Sequence, residues 1–407
     1  MKREFVGRGL LVLALGVGGI GSAWAVDWSA CAAGDIVALA AGESATVTDA
    51  DISSVAALGG IDLGTGATIT FDISGELVLQ GYLKGAGTVI KNGTGLLRYT
   101  LLGNQDYKLS DPGETIVNAG ILELPSTADT AYNYAAFEFS RMTVNNPGVL
   151  RICERGTSYV LGLWGDGTVT NALKTSPYAQ FQVRNDTRGL CSVFSGKMTG
   201  PALRACYAAY CDFLNPDNDN AGETSFQAGL NVGITKFGNK GDSGSLGKSP
   251  YNLRGGNVRF RYLGTGETST RDLYFSQQSD RFTFDAGTHG DFHWAGHVES
   301  YYSANNQKMR TLCLAGSNAV PCTFSGSIVC KELNDGDVQT NLFLRKEGPG
   351  RWNMLDKPAD ATANSVRSFA GNVEVVEGTL GFASIAEKGT ACSLGTGLLW
   401  QDSYATA

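Results

Sequence analysis

The sequence predicts an all-β protein in which many short strands are wound into a solenoid. Three observations carry this prediction. Glycine is abundant and proline scarce, 54 residues against 10, about twice the ordinary glycine frequency, and long amphipathic helical patterns are nearly absent. Apolar and polar residues alternate in runs of four to seven bounded by Gly, Asn or Asp, which is the period of strands with turn punctuation. Phrases also recur. KNGTGLLRYTLLGNQDY (91–107) and KEGPGRWNML (346–355) both read Lys-x-Gly-x-Gly and then enter a strand-like run, as stacked structural units do.

The chain opens on Lys2, Arg3 and Arg8, an apolar stretch over 10–20 and the small-x-small triplet Ala23-Trp24-Ala25. This is the pattern of a secretory signal peptide over 1–25, cut after Ala25. The apolar stretch is too short and Gly-rich to span a bilayer well, and no later stretch is long and apolar enough to be a transmembrane segment once the signal is removed. The full chain carries net charge −7, and removal of 1–25 leaves 29 basic against 38 acidic residues, net −9. That balance argues against nucleic acid and anionic lipid as partners.

Nine cysteines lie beyond residue 25. Cys206 with Cys211, and Cys313 with Cys322 or Cys330, are close enough in sequence for local disulfides. The alternative is small buried hydrophobes. No Cys-x-x-Cys occurs, so thioredoxin-like or zinc-ribbon chemistry is not expected.

Strands are expected at 67–73, where Ile69, Phe71 and Ile73 share one face, and then at 76–80, 87–91, 96–102 and 120–124. The same texture returns at 256–264, 271–277, 281–287 and 372–382. Residues 230–249 align without gaps to 379–398, placing Ser245-Leu246-Gly247 on Ser393-Leu394-Gly395. The expected organisation is a signal peptide (1–25), an N-terminal solenoid with the first repeat (26–171), a middle solenoid with loop insertions (172–330) and a second, incomplete repeat (331–407). A coil should take roughly twenty residues, with strands in adjacent coils about 4.7–4.9 Å apart. Glycine permits sharp corners at positive φ. The lysine ahead of each Gly-x-Gly is expected to point outward and solvate the corner.

Residues 83–124 resemble the autotransporter-associated β-strand repeat. Gly85, Gly87, Lys91, Gly93, Gly95, Gly103, Tyr107, Gly120 and Leu122 fall on its pattern. A second stretch, 342–382, matches at Lys346, Gly348, Gly350, Gly378 and Leu380 but lacks the Gly-x-x-x-Tyr element. The resemblance covers about a quarter of the chain. It implies a right-handed parallel β-helix of the passenger type in an exported bacterial protein. A phosphate-cradling loop is not expected, because Lys precedes the glycines and a strand rather than a helix follows.

Candidate chemistry is sparse. His289, His293 and His297 are spaced by four, which on a strand separates neighbours by about 13 Å, too far to share one metal ion. Residues 215–223 hold Asp217, Asp219 and Glu223 and begin like an EF-hand loop, but the twelfth place is Ala228 instead of a bidentate Glu. Asp166, Asp285, Asp291 and Glu299 are available carboxylates with no motif pairing them. The Gly241-Asp242-Ser243-Gly244 phrase resembles a serine-protease nucleophile loop, but its aligned partner lacks that Ser. Trp294, Tyr301 and Tyr302 could stack on sugars or face the core. No catalytic, cofactor-binding or metal residue is assigned, and no cofactor is expected.

The expected function is therefore display. An exported β-solenoid, on the cell surface, outer-membrane-associated or secreted, would carry loops such as 201–228 and 301–322 to glycans or cell-surface proteins without catalysis. The alternative on the same fold is a polysaccharide lyase or glycoside hydrolase.

Overall fold

A computed structural model of the chain describes residues 10–11, 26–99, 113–124, 140–152, 156–171, 179–184, 189–201, 203–208, 210–227, 229–275, 281–288, 290–302, 310–332, 342–355, 373–385 and 392–393. The chain divides into two compact units, 1–204 and 205–407. The expected signal peptide lies outside the described residues except for Leu10–Leu11, which pairs with Ile36 and Val37.

In the first unit, successive strands belong to different sheets, and each sheet is assembled from strands one coil apart. One sheet holds Ile36–Leu39, Gly60–Leu63 and Tyr82–Gly85. A second stacks Ser44–Val47, Thr68–Asp72, Thr88–Asn92, Glu114–Val117, Arg141–Val144 and Leu163–Trp164. A third stacks Glu76–Leu79, Leu96–Tyr99, Ile121–Glu123, Val149–Ile152, Thr168–Asn171 and Lys197–Thr199. The pairings are parallel, so this is a parallel β-helix. Coils are not uniformly about twenty residues. Thr68 pairs with Thr88, but Thr88 pairs with Glu114. Extra residues enter between strands, where they leave the stacked registers intact.

Alternation fixes the core. Ile69, Phe71 and Ile73 are fully buried. The registers align Leu77, Leu97, Leu122, Leu150, Val169 and Met198 into one inward column, all at most 3% exposed. Full burial of each such side chain is worth about 1.5–3 kcal/mol. Outward neighbours on the same sheet are charged. Glu123 accepts from Arg98 at 2.6 Å and Arg151 at 2.9 Å.

The second unit repeats the scheme. One sheet runs through Thr224–Phe226, Leu253–Gly255, Leu273–Phe275, Val298–Tyr302 and Ile328–Glu332. A second runs through Cys211–Phe213, Leu230–Ile234, Val258–Tyr262, Arg281–Asp285, Arg310–Ala315, Leu342–Lys346 and Val373–Val375. A third holds Glu267–Ser269, Phe292–Trp294, Cys322–Phe324, Arg351–Met354 and Thr379–Phe382. Its core is aromatic, with Phe237, Phe260, Phe284, Phe292 and Trp294 in mutual ring contact.

Three expectations are corrected here. The segments 201–228 and 301–322 are not simply loops, since they contain the strands Cys211–Phe213, Thr224–Phe226 and Arg310–Ala315. Cys211, Cys313 and Cys322 are buried thiols outside any disulfide, so the suggested bridges of Cys206 with Cys211, and of Cys313 with Cys322 or Cys330, do not form. Cys153 and the side chains of Cys206 and Cys330 lie outside the described residues. The third correction concerns the lysines of the repeated phrase.

Candidate functional site

Lys91 is fully buried. The registers explain why. It is the penultimate residue of the Thr88–Asn92 strand, two places after inward-facing Val89, and the stacked column reads Val47, Phe71, Lys91, Val117, Val144. The lysine therefore occupies a core position at a corner. Its ammonium donates to the carbonyls of Asn92, of Gly93 at 2.9 Å and of Ala119 in the next coil at 3.5 Å. Burial pushes its pKa down to about 8, while Asp72 and Asp49 pull the other way.

Lys346 repeats the arrangement in the second unit. It is fully buried, continues the column Phe260, Phe284, Leu314, Lys346, Val375, and donates to the carbonyls of Glu347 at 2.6 Å, Gly348 at 2.5 Å and Glu377 at 3.2 Å. Burial lowers its pKa as well. Gly93 and Gly348 sit at φ +68° and +71°. Gly120 and Gly378 in the following coils sit at +66° and +77°, and a Cβ at either would strike two carbonyl oxygens and crowd the lysine Nζ. Outside the first corner, Asn92, Asn118 and Asn145 form an amide ladder, with links of 3.0 and 2.8 Å. These corners are structural, and their donors are saturated by carbonyls.

The aligned Ser-Leu-Gly phrases also share a contact. Ser245 Oγ accepts from the Lys236 N–H at 3.2 Å, and Ser393 Oγ accepts from the Ser384 N–H at 2.8 Å. Both serines are fully buried, and each closes a loop. The next coil clamps the first of these loops. Glu267 accepts from the Phe237 and Gly238 N–H groups at 2.6 and 3.0 Å, and Arg271 donates to the Phe237 and Asp242 carbonyls at 2.5 and 2.9 Å. Desolvation raises the Glu267 pKa. The Asp242-Ser243 phrase is a turn within this clamped loop.

The chemical candidates do not converge. His293 is half-buried, with Nε2 2.6 Å from Ser325 Oγ. His297 lies past the tight corner at Gly296, its N–H bonded to Asp272 at 2.9 Å, and His289 lies outside the described residues. In 215–223, Asn218 and Asn220 are fully buried, Asp217 is exposed, and Asp219 and Glu223 are half-buried. Among the described residues no group of three or more His, Cys, Asp or Glu side chains is arranged to hold a metal. Asp166 accepts from the Asn146 N–H at 2.9 Å in the first unit. In the second unit Asp285 is ion-paired to Arg259 at 2.6 Å, Asp291 precedes the Phe292–Trp294 strand, and Glu299 lies on another sheet. Trp294 is fully buried in the aromatic core. The side chains of Tyr301 and Tyr302 lie outside the described residues.

Two open grooves mark the second unit. One, of about 640 Å³, is lined by Arg259, Arg281, Thr283 and Glu347, with Arg281 and Glu347 paired at 2.5 Å. The other, of about 560 Å³, is lined by Glu223, Tyr251, Asn252, Arg254, Tyr274 and Glu299. Arg254, Tyr274 and Glu299 are register partners in successive coils and form a row across it. Sequence reasoning singled out Glu223 and Glu299 but missed this row, because the partners are 20 and 25 residues apart with unequal loops between.

The chain is 28% identical to the Adhesin BmaC autotransporter of Brucella suis biovar 1 (strain 1330) over 387 residues. The match covers 86% of this chain and 10% of that protein, so the chain spans about a tenth of the relative's length. No family model matches the chain, and no solved structure matches it. The chain is thus similar to an autotransporter adhesin, and its parallel β-helix is of the kind expected for a passenger.

Proposed function

We propose that this chain is an exported adhesive surface protein that displays binding surfaces on a β-solenoid scaffold and carries out no chemistry of its own. The observation that carries this reading is the similarity to an autotransporter adhesin along 86% of the chain. Stacked coils add support. A scaffold held by inward columns and saturated corners leaves outward faces free to vary without loss of stability. The first 25 residues act as the export signal, and the partners are glycans or glycan-bearing surface proteins. Beads coated with the purified chain should adhere to epithelial cells above albumin-coated beads, and antibody to the chain should label intact source cells. The secreted or surface form should begin at Val26 on N-terminal sequencing. Beads that adhere no better than albumin controls, or antigen confined inside the cell, overturn this function. Incubation with a polysaccharide panel should yield no new reducing ends or unsaturated products, and their appearance would establish the lyase or hydrolase alternative.

A further inference from the structure

The display reading leaves open which face binds and what it binds. We propose that the groove of Tyr251, Tyr274, Arg254, Asn252, Glu223 and Glu299 is a binding site for an uncharged oligosaccharide. The inference rests on the display reading and adds a place and a ligand class to it.

Three features select this groove. The first is its pair of aromatic side chains. Tyr251 is 62% exposed, more than any other aromatic among the exposed large hydrophobics, and Tyr274 is partly exposed and lines the same groove. A phenol offers a flat apolar face with a polar tip at small conformational cost, which suits the C–H face of a pyranose ring. The groove lined by Arg259 and Arg281 has no ring on its wall.

The second feature is the density of planar hydrogen-bonding groups around those rings. Carboxylates accept from hydroxyls, the Arg254 guanidinium donates in a fork, and the Asn252 amide does both. Such groups match vicinal hydroxyls, which are at once donors and acceptors. Arg254 is held over the Tyr274 ring at 5.8 Å and against Glu223 at 3.8 Å. Lys240 bridges Asn252 at 3.1 Å and Asp272 at 2.7 Å. The polar groups are thus positioned before a ligand arrives, which lowers the ordering cost of binding.

The third feature is charge. The lining holds two cations, Arg254 and Lys240, and two carboxylates, Glu223 and Glu299, so it carries no excess of either sign. An anionic glycan would meet two carboxylates, and a cationic one two cations. The row Arg254–Tyr274–Glu299 crosses two coil spacings, about 10 Å, the reach of a short oligosaccharide segment.

The test uses the full chain. Calorimetric titration is run with neutral hexasaccharides of glucose, mannose, galactose and N-acetylglucosamine, alongside sialylated and sulfated glycans. At least one neutral series should bind saturably and the charged series should bind more weakly. Tyr251→Ala and Tyr274→Ala should each weaken binding about five- to tenfold, from the loss of a stacking face. Tyr251→Phe and Tyr274→Phe keep the ring and should stay within about twofold. Arg259→Ala, in the other groove, should change nothing. Failure of every neutral glycan, preference for charged glycans, or affinity that survives the double Tyr→Ala change overturns the assignment. If adhesion of coated beads persists in that case, the groove assignment fails and the display reading stands. Glycan binding lost in the double Tyr→Ala variant, without any bead adhesion by the wild-type chain, supports the groove and overturns the display reading.

Discussion

Lys91→Met should destabilise the first unit by about 3 kcal/mol, and the size of that effect depends on pH. Methionine keeps the length of the side chain and its apolar stem but removes the three N–H donors. The carbonyls of Asn92, Gly93 and Ala119 then lose that partner while remaining part-buried at the corner. A fully buried acceptor stripped of its donor costs about 1–3 kcal/mol, and three part-buried ones together cost more than any one of them. Against this, the wild-type protein carries the penalty of burying an ammonium. Its pKa is lowered from 10.5 to about 8, which is worth about 3 kcal/mol. The lost donors outweigh the relief, in line with the cost of removing one member of a buried polar set. The sign with pH is fixed by linkage. Between pH 8 and 10.5 the unfolded lysine binds its proton more tightly than the folded one, so wild-type stability rises with pH across that window. The methionine variant lacks this contribution, so the gap between the two proteins should widen as pH rises from about 8 to about 10.5. Hydrogen exchange followed by mass spectrometry on peptides covering 88–99 and 114–123 reads the local opening free energy directly. Equal protection in variant and wild type, or a gap that does not change with pH, refutes the buried-ammonium account.

Gly120→Ala and Gly378→Ala should each cost about 2 kcal/mol or more, because alanine must take a positive φ and its Cβ meets two carbonyls; urea denaturation followed by circular dichroism checks this. Ser245→Ala should cost about 1–3 kcal/mol by freeing the Thr235 and Lys236 N–H groups from their acceptor, and limited proteolysis should then cut within 236–248. His293 has its pKa lowered by burial. Its contribution to stability is therefore present above the unfolded value of about 6.5 and is lost as pH falls through the lower folded value. Proton NMR of the imidazole ring should show that lower midpoint, and a midpoint above 6.5 would contradict the burial.

Much of the fold was legible because its determinants are local. Alternation with period two placed Ile69, Phe71 and Ile73 inside and put strands at 67–73, 76–80, 256–264 and 281–287, where the structure has them within a residue or two of each end. The interior position of the lysines was legible too, in the same period. Val89 faces inward, so period two alone puts Lys91 inward. The expectation that lysine belongs in water overrode the periodicity, although a corner rich in carbonyls can take up the ammonium's hydrogen bonds at the cost of part of its hydration. The amide ladder had a signal as well, since Asn follows Lys91, Val117 and Val144 at, or one residue past, the end of each strand. The groove had none. Its members are distant in sequence, and only the registers across loops of unequal length bring Arg254, Tyr274 and Glu299 into one row.

The repeated phrase can now be read as a two-coil device. A lysine at an inward strand end needs carbonyl oxygens turned toward it, and ordinary strand geometry points them along the sheet. Gly93 and Gly348, at positive φ, turn their carbonyls to the ammonium. The second requirement lies in the following coil. Gly120 and Gly378 must lack a Cβ so that the Ala119 and Glu377 carbonyls can close on the same nitrogen. The motif is therefore Lys-x-Gly-x-Gly joined to a glycine 29 residues beyond Lys91 and 32 beyond Lys346. The variable spacing follows from the device itself, because loops outside the corner lengthen a coil without moving the stacked strands. A lysine of this kind does two things at once. It interrupts the apolar column with a charge held inside the corner, and it ties one coil to the next by bonds that an apolar side chain of similar length cannot supply.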